Sequence, residues 1–198
     1  MDILSWVSIL NIIVLLFSIY QVGTIFSEKR LAYLSLICLA LVSYLISNII
    51  FLVDQDLILI IRFVNLSSLV CVLSALFSLI RESKPVFARF PSILSYIPFL
   101  ILLFLPLILG QTVIYNLLTA TFQAGSILVA LMIFVLNKLN KKDSGWHISG
   151  LILLLFAFVF YWFNTLLTPI QEVVITELVL LSGIVLLTTG IRKSHFKL

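Results

Sequence analysis

Between Arg89 and Lys138 the chain runs for 48 residues without a charged side chain. A hydrocarbon core about 30 Å thick takes roughly 20 residues of α-helix to cross, so this run is too long for one crossing and suits two. Gly110, Gln111 and Thr112 mark the break, because glycine and polar residues punctuate a turn. Two shorter runs read the same way: 25 uncharged residues separate Asp2 from Glu28, and 23 separate Arg30 from Asp54.

Composition names the solvent. Apolar residues make up 63% of the 198-residue chain and charged residues 10%, with a mean hydropathy of +1.29. Soluble domains carry about 25% charged residues, and a chain this short has no core large enough to hide the excess apolar surface. The sequence therefore predicts an all-α integral membrane protein. Seven transmembrane helices at about 3–25, 31–53, 57–80, 91–109, 113–136, 148–167 and 173–191 form one domain with short loops. Met-Asp at the start, without a basic segment, reads as the beginning of a first span and not as a signal peptide. Short connections make consecutive helices antiparallel neighbours.

Orientation follows from the basic residues. Lys29, Arg30, Arg81, Lys84, Arg89, Lys138, Lys141, Lys142, Arg192, Lys193 and Lys197 all fall on one side, and Asp2, Asp54, Asp56 and Glu172 on the other. Lys and Arg accumulate in cytoplasmic loops, which puts the N-terminus outside and the C-terminus in the cytoplasm, most simply in the cell (inner) membrane. Trp6 and Trp146 suit interfacial anchors, and Pro98 with Pro106 predicts a kinked fourth helix.

Ionisable groups in lipid are costly and tend to face a bundle interior. Arg62 lies in span three and Glu177 in span seven, both near the outer end. Their similar depth raises three readings: a pair lining an outward-facing ligand pocket, a salt bridge stapling two helices, or snorkelling to the interface. Asn48, Asn65, Tyr115, Asn116, Gln123, Tyr161 and Asn164 gather in the same outer half, with Trp162 beside them and Asn11 deeper. They either line a ligand site or hydrogen-bond between helices. Ser67, Cys71, Ser74 and Ser78 share one face of span three, opposite Arg62, and read as a helix-packing seam.

Several chemistries leave no mark. Cys38 and Cys71 sit in apolar spans as small buried hydrophobes, while His147 and His195 fall in polar tails without metal-ligand spacing. No nucleophile-and-base pattern, intramembrane haem histidine or span-seven lysine for a retinal Schiff base is present, so no catalytic residue, metal or cofactor is assigned. The basic residues are too scattered for nucleic acid. Seven-helix sugar transporters carry a Pro-Gln pair, whereas here Ile170 separates Pro169 from Gln171. By helix count and loop length alone the chain resembles the seven-helix sensory regions that precede output domains in bacterial signalling proteins, which implies a sensing role.

The expected function is a non-enzymatic membrane module, either a sensor of an outer ligand or a subunit of a larger complex. Besides the lipid bilayer, a protein partner is expected at the cytoplasmic segments 81–89 and 137–147. A small-solute transporter is the alternative reading, and an intramembrane enzyme the third.

Overall fold

The computed structural model describes residues 3–54, 56–83, 89, 91–138, 145–163 and 169–196. Its helices are α1 (Ile3–Lys29), α2 (Ala32–Val53), α3 (Ile58–Ser83), a 3-10 helix (Ser92–Phe104), α4 (Leu105–Leu109), α5 (Thr112–Lys138), α6 (Gly145–Phe163) and α7 (Pro169–Phe196). Among the described residues there is no strand. In hydrocarbon a helix satisfies its own backbone, and an open strand does not.

Six helices, α1, α2, α3, α5, α6 and α7, are long and apolar enough to cross a membrane. Ile13, Leu16, Phe17 and Tyr20 on α1, and Val113, Leu117, Leu128 and Met132 on α5, stand exposed on the bundle surface. Outward faces of this kind are compatible with lipid and not with water. The chain is an integral membrane protein.

The fourth segment departs from the expected kinked α-helix. It winds as a 3-10 helix with Pro98 inside it, followed by the five residues of α4. Each proline removes an N–H donor, so Pro98 and Pro106 interrupt an α-helical ladder twice within a short stretch. The tighter winding rises about 2.0 Å per residue, which lets the 3-10 helix and α4 together reach roughly 33 Å.

Helices pack as a ring in the order α1, α2, α3, α5, α6 and α7, closed by α7 against α1, with the 3-10 helix against α3 and α4 against both α3 and α5. Cross-contacts give the directions. Arg62 near the start of α3 meets Tyr115 near the start of α5, and Leu76 late in α3 clusters with Ala130 and Ile133 late in α5. Those two helices are therefore parallel, and the segment between them returns along the length of the bundle. Helices α1 and α7 are parallel too, for Asn11 meets Glu177 and Ile25 clusters with Ile191. With four packed neighbours, α3 is the most buried of the six long helices.

Turns are short and locally closed. Arg30 joins α1 to α2 with φ of 47°, its N–H donating to the Phe26 carbonyl at 2.9 Å. After α2 the Asp56 N–H donates to Asp54 Oδ1 at 2.9 Å, a side-chain-closed turn that uses the acidic residues of that end.

Helix α6 starts before the expected span and carries His147 with it. Instead of lying in a polar tail, His147 is buried, stacked on Phe134 at 4.5 Å between ring centroids and packed over Gly190. Room for the ring comes from that glycine, since an added Cβ at Gly190 would lie 3.2 Å from it. One turn away, Lys193 Nζ sits 3.8 Å from the centre of the Trp146 ring, a cation–π contact at the basic end of the bundle.

Candidate functional site

Helices α1, α2 and α7 each bring polar side chains to the bundle end that carries Asp54 and Asp56. Asn11 Nδ2 donates to Asn48 Oδ1 and to Glu177 Oε2, both at 3.0 Å. The Tyr44 hydroxyl donates to the same Glu177 oxygen at 3.3 Å, and Asn48 Nδ2 donates to the Tyr44 carbonyl at 2.9 Å. These four bonds form a closed circuit through three helices. Asn11 is its hub and is only 3% exposed.

Helical spacing explains the convergence. Tyr44 and Asn48 are four residues apart and share a face of α2. Asn11 lies eight residues into α1, and Glu177 eight into α7, so parallel packing brings them level at about 12 Å from their helix starts. Glu177 is held by neutral donors, and among the described residues no cation pairs with it.

Arg62 has different company. Its Nη1 donates to the Leu109 carbonyl at 3.3 Å, and its guanidinium carbon lies 5.3 Å from the centre of the Tyr115 ring. Leu109 ends α4, where carbonyls lack intrahelical donors and a cation is favoured. Leu66, one turn on, clusters with Ile108 and Tyr115, so this corner clamps the fourth segment onto α3. The salt bridge reading for Arg62 and Glu177 is corrected: α3 and α7 are not packed neighbours in the ring, and each charge has its hydrogen-bond partners on other helices.

The remaining sequence candidates divide. Gln123 Oε1 accepts from Trp162 Nε1 at 2.9 Å, joining α5 to α6, and Trp162 packs edge-on against Tyr161 at 5.1 Å. Asn65 sits beside Tyr115 and keeps a buried Oδ1 without a hydrogen-bond partner among the described residues. Asn116 is exposed and stays outside the cluster. Asn164 lies outside the described residues.

Along α3, Cys71, Ser74 and Ser78 are buried, whereas Ser67 is partly exposed and donates to its own helix at the Phe63 carbonyl. Ser68, not in that stripe, makes the interhelical bond, donating to the Ala40 carbonyl of α2 at 2.9 Å. Among the described residues no group of three His, Cys, Asp or Glu side chains is placed to hold a metal.

Sequence reasoning missed Tyr44 and left Asn11 peripheral. The four-residue step from Tyr44 to Asn48 was the available signal. It also missed the glycines of α6 and α7, although Gly183 and Gly190 are seven residues apart and so recur on one helix face. Comparison with protein-family models, curated proteins and solved structures finds no match for this chain.

Proposed function

We propose that the chain is a non-enzymatic seven-helix membrane module that receives a small ligand in the polar core at its outer end. The carrying observation is the Asn11–Asn48–Tyr44–Glu177 circuit. Three helices converge on one carboxylate that has no cationic partner among the described residues. Burying a carboxylate is expensive, and neutral donors offset only part of that cost. A ligand that interacts with this group biases how α1, α2 and α7 pack together.

Seven crossings with the N-terminus outside fit two further facts. The parallel pair α3 and α5 requires the chain to return between them, and a reach of roughly 33 Å suffices for a core of about 30 Å. With the fourth segment crossing, the eleven loop and terminal basic residues lie on the cytoplasmic side. The cell (inner) membrane is the location this orientation implies. The ligand's effect would pass to a protein partner at the cytoplasmic segments 81–89 and 137–147, whose basic residues also suit anionic lipid.

Purification of the full chain in mild detergent, followed by a thermal-shift panel of small cations, anions and neutral solutes, tests the receptor reading. Saturable stabilisation that disappears in Asn11→Ala supports it, and a flat response across the panel refutes it. Purification from native membranes tests the partner: a chain that runs alone ends the subunit version. Membrane-impermeant labelling of Asp56→Cys from outside checks orientation.

A small-solute transporter is the second reading, favoured by the 3-10 winding of the fourth segment, since such stretches often mark hinges. Proteoliposomes that show neither uptake nor counterflow would remove it.

A further inference from the structure

The hydrogen-bond directions in the circuit are forced one by one. The Tyr44 backbone carbonyl can only accept, so the Asn48 amide must turn its Nδ2 toward it. That leaves Asn48 Oδ1 facing Asn11, which must in turn present its own Nδ2. Both N–H groups of Asn11 are then used, one on Asn48 and one on Glu177. What remains is Asn11 Oδ1, a buried acceptor with no hydrogen-bond partner among the described residues, on a side chain only 3% exposed.

Glu177 shows the same asymmetry. Both of its hydrogen bonds fall on Oε2, and among the described residues Oε1 receives none. Two hydrogen-bonded neighbours thus leave two uncommitted oxygens, beside a formal negative charge. An anion is repelled there, and a neutral acceptor finds no donor.

We propose that Glu177 Oε1 and Asn11 Oδ1 form a binding position for a small monovalent cation, a sodium ion or the ammonium group of a primary amine. Oxygen lone pairs suit a hard cation, and an ammonium group brings three N–H donors for the same atoms. The bound charge neutralises the carboxylate in its low-dielectric setting. Binding draws α1 and α7 together, because each helix supplies one of the oxygens. This inference rests on the ligand-site reading above and specifies its ligand.

The test uses the full chain in detergent, with unfolding temperature followed during titration with sodium chloride and with methylammonium chloride. Tetraethylammonium chloride, a bulky cation without N–H groups, controls for ionic strength. A saturable rise above the control is expected for at least one of the two salts, and its identity distinguishes an alkali ion from an amine. Glu177→Gln should abolish the rise. Asn11→Ser, which keeps the carboxylate, should weaken apparent affinity by at least roughly tenfold, and it serves if the Glu177 variant fails to fold. No rise above the control, a rise that persists in Glu177→Gln, or an unchanged affinity in Asn11→Ser overturns the proposal. An anion or neutral solute whose stabilisation depends on Asn11 would also overturn it while leaving the receptor reading intact.

Discussion

Gly150 on α6 and Gly183 on α7 touch backbone to backbone: a Cβ built on Gly150 would lie 2.9 Å from the Gly183 carbonyl oxygen and 2.9 Å from the Leu187 nitrogen. Neither atom can move without shifting a helix. In lipid, where apolar burial gives no driving force between helices, such close approach supplies much of the attraction.

Gly150→Ala should therefore destabilise the bundle by about 1–3 kcal/mol, as overpacking does. Gly183→Ala should cost somewhat less, since its two nearest neighbours at 2.8 and 2.9 Å are side-chain atoms of Leu154, which has other rotamers, while the backbone atom it meets, the Gly150 carbonyl oxygen, stands slightly farther off at 3.0 Å. Gly23 and Gly125 lie inside α1 and α5 with nothing within 4 Å of an added Cβ. Alanine there should be neutral, or stabilising by up to about 1 kcal/mol through helix propensity. Thermal unfolding of the four variants in detergent ranks them directly.

A double-mutant cycle on Arg62→Gln and Glu177→Gln tests the separation of the two charges. Each single change should destabilise, Arg62→Gln by releasing the α4 terminus and Glu177→Gln by disrupting the α1–α2–α7 circuit. Their coupling should stay within about 0.5 kcal/mol, the usual limit for residues without shared partners. A larger coupling would mean that the charges see one another after all.

What the sequence could and could not reveal follows from this pair of residues. Charge-free runs located every long helix to within a few residues, because bilayer thickness acts on all spans alike. Depth was read the same way, at 1.5 Å per residue, although α7 begins at Pro169 and so carries Glu177 eight residues in against four for Arg62 in α3. Azimuth was not, since it depends on which helices are neighbours around the ring, and α2 separates α3 from α1 and α7. The hub of the polar core was hidden for the same reason. Asn11 looked isolated when counted along its own helix, and only the parallel packing of α1 with α7 brings it to Glu177. Helix α6 began earlier than hydropathy suggested, because burial of His147 depends on Gly190 of another helix.

Asn11→Ala should be among the most damaging polar changes. It removes donors to both Asn48 and Glu177, and hydrogen bonds to charged groups are worth about 1.5–3 kcal/mol. Asn116→Ala, on an exposed surface of α5, should change stability by less than about 0.5 kcal/mol. Equal losses for the two, measured by thermal unfolding, would contradict the assignment of Asn11 as hub.

The turn between α1 and α2 offers a test in which charge and conformation separate. Arg30 holds φ at 47°, a left-handed conformation that costs a residue with a Cβ roughly 1–2 kcal/mol. Glycine adopts it freely, at the expense of greater freedom in the unfolded chain. Arg30→Gly should therefore raise stability by about 0.5–1 kcal/mol even though it deletes a basic residue. Lys29→Gly deletes the same charge inside the last turn of α1, where glycine is unfavourable, and should lower stability by up to about 1 kcal/mol. Both variants leave ten of the eleven loop and terminal basic residues in place, so impermeant labelling should find their orientation unchanged. If both shift stability in the same direction, charge and not backbone geometry governs this turn.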